Sequence, residues 1–140
     1  MAIVALDVGE RRIGIAVSDP GETFAFPVRT LDRTTMHADV EAILAAAREY
    51  GAHTIVVGDP LSLSGERGIA ARAMDDFAAV LTKAFEGEIA RVDERLTTAL
   101  ANRALIGADV SRSKRKRIVD QLAAAAILET FLARRRRGTG

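Results

Sequence analysis

Residues 2–8 (AIVALDV) are apolar except for Asp7, the pattern of a strand covered on both faces. Gly9 breaks the run and a second strand-like stretch follows over 12–18 (RIGIAVS), so the short link between them predicts a hairpin. A third strand is expected over 24–31 (FAFPVRTL), with Pro27 suited to a sheet edge because it donates no ladder hydrogen bond. Residues 38–50 (ADVEAILAAAREY) have helical spacing and stop at Gly51, a natural residue to follow a helix. Next come a short buried strand, 54–58 (TIVVG), and a loop rich in turn residues, 59–68 (DPLSLSGERG). A helix over about 69–85 ends near Gly87, and 89–93 (IARVD) reads as another strand. Two helical stretches, about 97–106 and 113–134, follow on either side of a break near Gly107.

Three strands, then helix, strand, helix, strand and helices predict an α/β fold: a mixed five-stranded sheet flanked by helices. Right-handed crossovers make the first, fourth and fifth strands parallel, so their C-terminal ends share one edge. Chemistry is expected at that edge. With 140 residues and no linker or repeat, the chain reads as a single domain over 1–140, with a basic tail from about 134.

Composition narrows the class. Hydrophobic residues make up 49%, too many for a disordered chain, and no apolar run approaches the ~20 residues of a membrane span. The N-terminus, MAIVALDVGE, lacks a basic stretch and meets an acid at Asp7, so no signal peptide is expected. Cysteine is absent and the histidines are only His37 and His53, which argues against thiolate or histidine-rich zinc sites and fits a cytoplasmic protein.

Three carboxylates stand where the pattern calls for apolar residues. Asp7 closes the first strand, where burial costs several kcal/mol unless a partner compensates; capping of the hairpin turn is its ordinary alternative. Asp93 and Glu94 end the last strand on the same edge, ~10 Å from the first if one strand intervenes. Either of the two could be the inward acid, though reach favours Glu94; helix-start acids are the alternative. Asp120 shares a helix face with Ala123, Ala124, Ile127 and Phe131, a face small and apolar enough to lie close on the sheet. A salt bridge to Lys116 or Arg117 would account for it without chemistry. Taken together, the acids converge on one edge, and their repulsion calls for a cation. An all-oxygen donor set suits Mg²⁺ or Mn²⁺, and two such ions can drive phosphodiester hydrolysis.

The charge distribution points to the substrate. Residues 1–110 hold 11 basic and 17 acidic side chains, a net −6, whereas residues 111–140 hold 9 and 2, a net +7. Lys114, Arg115, Lys116 and Arg117 crowd the start of the helix that carries Asp120, where the helix dipole disfavours cations. A phosphate backbone passing the acidic edge would compensate them. Arg12 and Arg95 join them as expected nucleic-acid contacts. Aromatic residues are scarce, so backbone and shape recognition is expected over base stacking.

The segments LDVGERRIGIAVSD (6–19), VVGDPLSLSGERG (56–68), VDERLTT (92–98) and VDQLAAAAIL (119–128) resemble the YqgF-type pre-16S rRNA nucleases, relatives of the Holliday junction resolvases. The likeness spans most of the chain with the motifs in the family's order; the first and third are the specific ones. It implies an RNase H-like fold and a cytoplasmic bacterial nuclease that processes the 5′ end of the 16S rRNA precursor. It also implies Asp7, Glu94 and Asp120 as the metal-binding catalytic acids. Two departures stand out: Asp59, where the family usually has Leu, and Ser62, where it often has Asn.

Other readings compete. A Holliday junction resolvase would use the same chemistry on DNA, and a catalytically silent nucleic-acid-binding module would keep the fold without turnover. DVGERRIG also resembles the phosphate-binding hairpin of sugar kinases and actin-like ATPases, but those need a second lobe and a second Gly-rich loop that 140 residues do not supply. Monomer and homodimer are equally compatible with the sequence.

Overall fold

The structure, a computed structural model, describes residues 2–59, 68–93 and 112–139. Its elements are β1 (Ala2–Val8), β2 (Arg12–Ser18), β3 (Ala25–Asp32), α1 (Met36–Tyr50), β4 (Ala52–Asp59), α2 (Ile69–Ala84), β5 (Glu88–Asp93) and α3 (Arg112–Thr139). The helix expected over 97–106 lies outside the described residues. Boundaries differ from the sequence reading where caps decide them. Thr35 accepts a hydrogen bond from the Ala38 amide, which starts α1 two residues early, at Met36. Gly51 ends the helix in the left-handed conformation, φ 65°. At the other end of the chain α3 runs past residue 134, so the basic tail is helical through Thr139. Arg135 ties it down by bonding Glu22 at 3.0 Å and lying over the Phe131 ring.

The strands form one sheet in the order β3-β2-β1-β4-β5. β1 pairs antiparallel with β2 and β2 with β3, whereas β1–β4 and β4–β5 are parallel. The expected mixed sheet is present, with β4 between β1 and β5. Pro27 sits on the edge strand β3, beside a register shift.

Each face of the sheet is covered. On one, Val4, Leu6, Ile13, Ile15, Ile55 and Val57 pack with Val40 and Ile43 of α1 and Met74, Phe77 and Leu81 of α2. On the other, Ile3, Ala5, Ala16, Val56 and Val92 meet Ala124, Ala125, Ile127, Leu128 and Leu132 of α3. Ile127 and Leu128 are fully buried, each worth about 1.5–3 kcal/mol of transfer free energy. The alanines before them are short enough to let the helix approach the strands closely.

The most buried acid among the described residues, Asp39, serves the fold. Its carboxylate accepts from Arg33 Nε at 3.1 Å and from the Thr34 amide at 3.0 Å, while the Arg33 guanidinium lies over Phe77. Ion pair and helix start thus stabilise one another.

Candidate active site

Side chains alternate along a strand, so the core assignments fix which face Asp7 and Asp93 take. Ile3 and Ala5 face α3, which puts Asp7 on the same face, half-buried at the C-terminal end of β1. Asp7 is in register with Gly14 of β2, and Gly14 in turn with Thr30 of β3. Opposed residues of antiparallel strands share a face, so Asp7, Gly14 and Thr30 form a row beneath α3.

Gly14 is the low point of that row. A Cβ there would overlap the main-chain carbonyl of Asp120 and press on the Gln121 amide. Only glycine permits this approach, which delivers Asp120 to the face that carries Asp7. Beside it, Thr30 Oγ1 donates to the Arg117 carbonyl at 2.7 Å and accepts from Gln121 Nε2 at 3.1 Å. The first turns of α3 are therefore fixed to β2 and β3 by a close backbone contact and two hydrogen bonds.

The next row outward is charged. Arg12 and Asp32 are in register across β2 and β3. Arg12 Nε bonds Asp120 Oδ2 at 2.7 Å, and Asp32 Oδ1 accepts from Arg117 Nη1 at 2.9 Å. Two ion pairs thus run between sheet and helix with opposite polarity. The partner of Asp120 is Arg12, not Lys116 or Arg117, the bland alternatives that helical spacing offered. Arg117 also donates to the Thr30 carbonyl, so the cation expected to compensate against phosphate has a partner within the protein. Lys116 is exposed and Arg115 half-buried on the same helix. The side chain of Lys114 lies outside the described residues.

Glu94 and Arg95 also lie outside the described residues. Of the two candidates for the middle acid, Asp93 is the last residue of β5. Val92 packs with the α3 face, so alternation turns Asp93 to the opposite face. There Arg91 bonds Asp75 of α2 at 2.7 Å and Asp59 of β4 at 3.1 Å, and Asp59 is in register with Asp93. Asp59, one of the two departures from the family pattern, is therefore part of an ionic tie between sheet and α2. The other, Ser62, is outside the described residues.

The last acid of the first motif has a structural task. Asp19 follows β2, and its carboxylate accepts from the amides of Phe24, Thr23 and Gly21 at 2.7, 2.8 and 3.2 Å. The hydrogen bond from Phe24 leads in holding its pKa below the ordinary carboxylate value. Gly9, in the hairpin between β1 and β2, donates its amide to the Arg12 carbonyl at 2.9 Å and accepts from Arg33 Nη1 at 3.0 Å.

A metal at this face would find carboxylate oxygens from Asp7 and Asp120, and a cationic group already rests on Asp120. Both features fit a hard divalent ion. Among the described residues no three acids or histidines are close enough together to hold one.

Sequence reasoning missed Gly14 and the Arg12–Asp120 pair. Gly14 carried a signal, a glycine inside an otherwise β-branched and apolar strand. The pair joins residues 108 apart in the chain and carried none.

The comparisons agree with this architecture. The model of the family described as "RuvX: Holliday junction resolvase" matches residues 1–134. A Clostridium perfringens (strain SM101 / Type A) protein named "Putative pre-16S rRNA nuclease" is 44% identical over 134 residues, covering 96% of this chain and 98% of its own. A protein of the same name from Geobacillus thermodenitrificans is 41% identical over 138 residues, covering 97% of this chain and 100% of its own. Among solved structures, Thermus thermophilus RuvC in complex with a Holliday junction substrate superposes with a TM-score of 0.58 over 96% of both chains, at 18% identity. The fowlpox virus resolvase with junction DNA gives 0.56 at 9% identity, covering 94% of this chain and 99% of its own. These likenesses show the fold, which is RNase H-like. With its family model matched almost end to end and relatives above 40% identity, the chain belongs to the RuvX family.

Proposed function

We propose that this chain, one nuclease unit over residues 1–140, is a metal-dependent endonuclease of the bacterial cytoplasm that processes the 5′ end of the 16S rRNA precursor. The observation that carries the reading is the placement of Asp7 and Asp120 on one face of the sheet, with the helix pressed onto Gly14 to bring them there. The names of relatives at 41–44% identity supply the substrate class.

Asp7, Asp120 and Glu94 would hold Mg²⁺ or Mn²⁺, with Glu94 chosen over Asp93 because strand alternation turns Asp93 to the opposite face. Bound there, one or two such ions supply a Lewis acid for the phosphoryl oxygens and lower the pKa of attacking water. The protein's own residues do the rest. The hydrogen bonds from Thr30 and Gln121 keep Asp120 from drifting, which preserves the geometry on which phosphoryl transfer depends. Arg12, Arg95 and the Lys114–Arg117 cluster would hold the nucleic-acid backbone, with Lys116 exposed and Arg117, paired with Asp32, less available to phosphate.

A second reading is favoured by the family's description and by the likeness to resolvases bound to junction DNA. The same face would then cleave a four-way DNA junction. A cleavage assay with precursor rRNA, single strands and four-way junctions, with and without Mg²⁺, separates the two. The proposal expects Mg²⁺-dependent cuts in precursor RNA at a defined site. Cleavage confined to junctions would select the resolvase reading, and no cleavage of any of them would leave a binding module.

A further inference from the structure

Asp120 already carries a cation. Arg12 Nε sits 2.7 Å from Asp120 Oδ2, and the two side chains are only 25% and 19% exposed. A charge-assisted contact this short and this sheltered from solvent is stronger than a surface ion pair. It engages only the single N–H of Nε, whereas a guanidinium has four more donors in a planar fork that matches a phosphodiester. Arg12 also lies one pair of strand residues outward from the Asp7–Gly14 pair, on the same face. The residue that neutralises Asp120 is thus the one best shaped to take a phosphate at its edge.

We propose that Arg12 is an exchangeable counter-cation: it occupies Asp120 in the metal-free protein, is displaced by the divalent ion, and is thereby released to the substrate phosphate. This rests on the reading of Asp120 as a metal ligand. Exchange has two physical consequences. In the metal-free protein the carboxylate is kept neutralised and in place, so the helix start is not pushed off the sheet by repulsion from Asp7. Metal and nucleic acid also become positively coupled, because each favours the state in which Arg12 has left Asp120, and such coupling is reciprocal.

The experiment uses the full chain without substrate, so its readout does not depend on turnover. The Nε–Hε resonance of Arg12 is assigned by its loss in Arg12→Gln and followed by NMR as Mg²⁺ alone is added after chelation. Mg²⁺ affinity is measured by calorimetry for wild type, Arg12→Gln and Asp120→Asn. The expected result is that Mg²⁺ moves the wild-type resonance to its position in Asp120→Asn, at the midpoint of binding. Arg12→Gln should bind Mg²⁺ about 5-fold or more tightly, the lower range of coupling between sites. If Asp120→Asn loses Mg²⁺ binding but the Arg12 resonance stays unmoved at saturating Mg²⁺, Arg12 is a fixed support and exchange is wrong. If Asp120→Asn binds Mg²⁺ as wild type does, Asp120 is no ligand and the underlying site reading fails with it.

Discussion

The main chain of Asp120 rests on the bare α-carbon of Gly14, so closely that any side chain there would overlap the Asp120 carbonyl group. The obstacle is backbone, so no change of rotamer relieves it. Gly14→Ala must lift the start of α3 away from β2, against the hydrogen bonds of Thr30 with Arg117 and Gln121. The expected cost is about 1–3 kcal/mol of stability, typical of overpacking. A displacement of ~1 Å at Asp120 should also slow single-turnover cleavage by about 100-fold. Denaturant midpoints and single-turnover rates check this. Wild-type values for both would show that helix–sheet spacing does not position Asp120.

Asp39 gives the contrasting case of an acid that works for the fold. Asp39→Ala would leave Arg33 without its carboxylate and the Thr34 amide without its acceptor. Removing one partner of a buried ion pair costs about 3–5 kcal/mol, and Arg33, one-quarter exposed, places this case near the low end. Urea unfolding should show the loss, while the folded fraction keeps its wild-type rate per molecule. A large rate defect without destabilisation would move Asp39 into the site.

Two neighbours in the basic cluster should behave differently. Lys116 is exposed, whereas Arg117 is held by Asp32 and the Thr30 carbonyl. Lys116→Gln is expected to lower the slope of log K against log salt by ~0.7 for a single strand or ~0.9 for a duplex, the loss of one phosphate contact. Arg117→Gln should change that slope less and cost about 0.2–1 kcal/mol of stability, the range of an exposed ion pair. Binding titrations at several salt concentrations decide it, and equal slopes for both variants would contradict the division.

Acid should loosen the loop between β2 and β3. The amide of Phe24, helped by Thr23 and Gly21, holds Asp19 below the ordinary carboxylate value of 3.8. A carboxyl group whose folded pKa is depressed adds stability that is complete above its unfolded value and disappears as pH falls through the folded one. The stability difference between wild type and Asp19→Asn should therefore be steady above about pH 5 and shrink below pH 4. The loop is solvent-exposed, which keeps the difference small. A difference that grew on acidification would reverse the sign of this argument.

How far the sequence reached depended on the range of the interaction. Apolar runs placed β1, β2, β4 and β5, and with them the edge that the parallel strands β1, β4 and β5 share, because burial leaves a local pattern. Asp7 and Asp120 were legible for the same reason, as acids out of place in apolar surroundings. The partner of Asp120 was not, since Arg12 reaches it across the whole fold and the nearer Lys116 and Arg117 competed for the role. Arg117 looked like an uncompensated cation only while Asp32 of β3 was out of view. Asp39 carries no signal in the sequence, since its burial is set by packing that no local pattern records. Gly14 was visible as a glycine within a strand, but what presses on it is a helix over a hundred residues away.

The most direct test of the site is Asp7→Asn. The substitution keeps size and shape and removes the charge, so the sheet and the β1–β2 register should stay intact, as circular dichroism and the unfolding midpoint will show. Single-turnover cleavage of precursor rRNA by this variant should fall to background at saturating Mg²⁺, in preparations cleared of contaminating nuclease. A well-folded Asp7→Asn protein that cleaves at close to the wild-type rate would contradict the assignment of this edge as the catalytic centre.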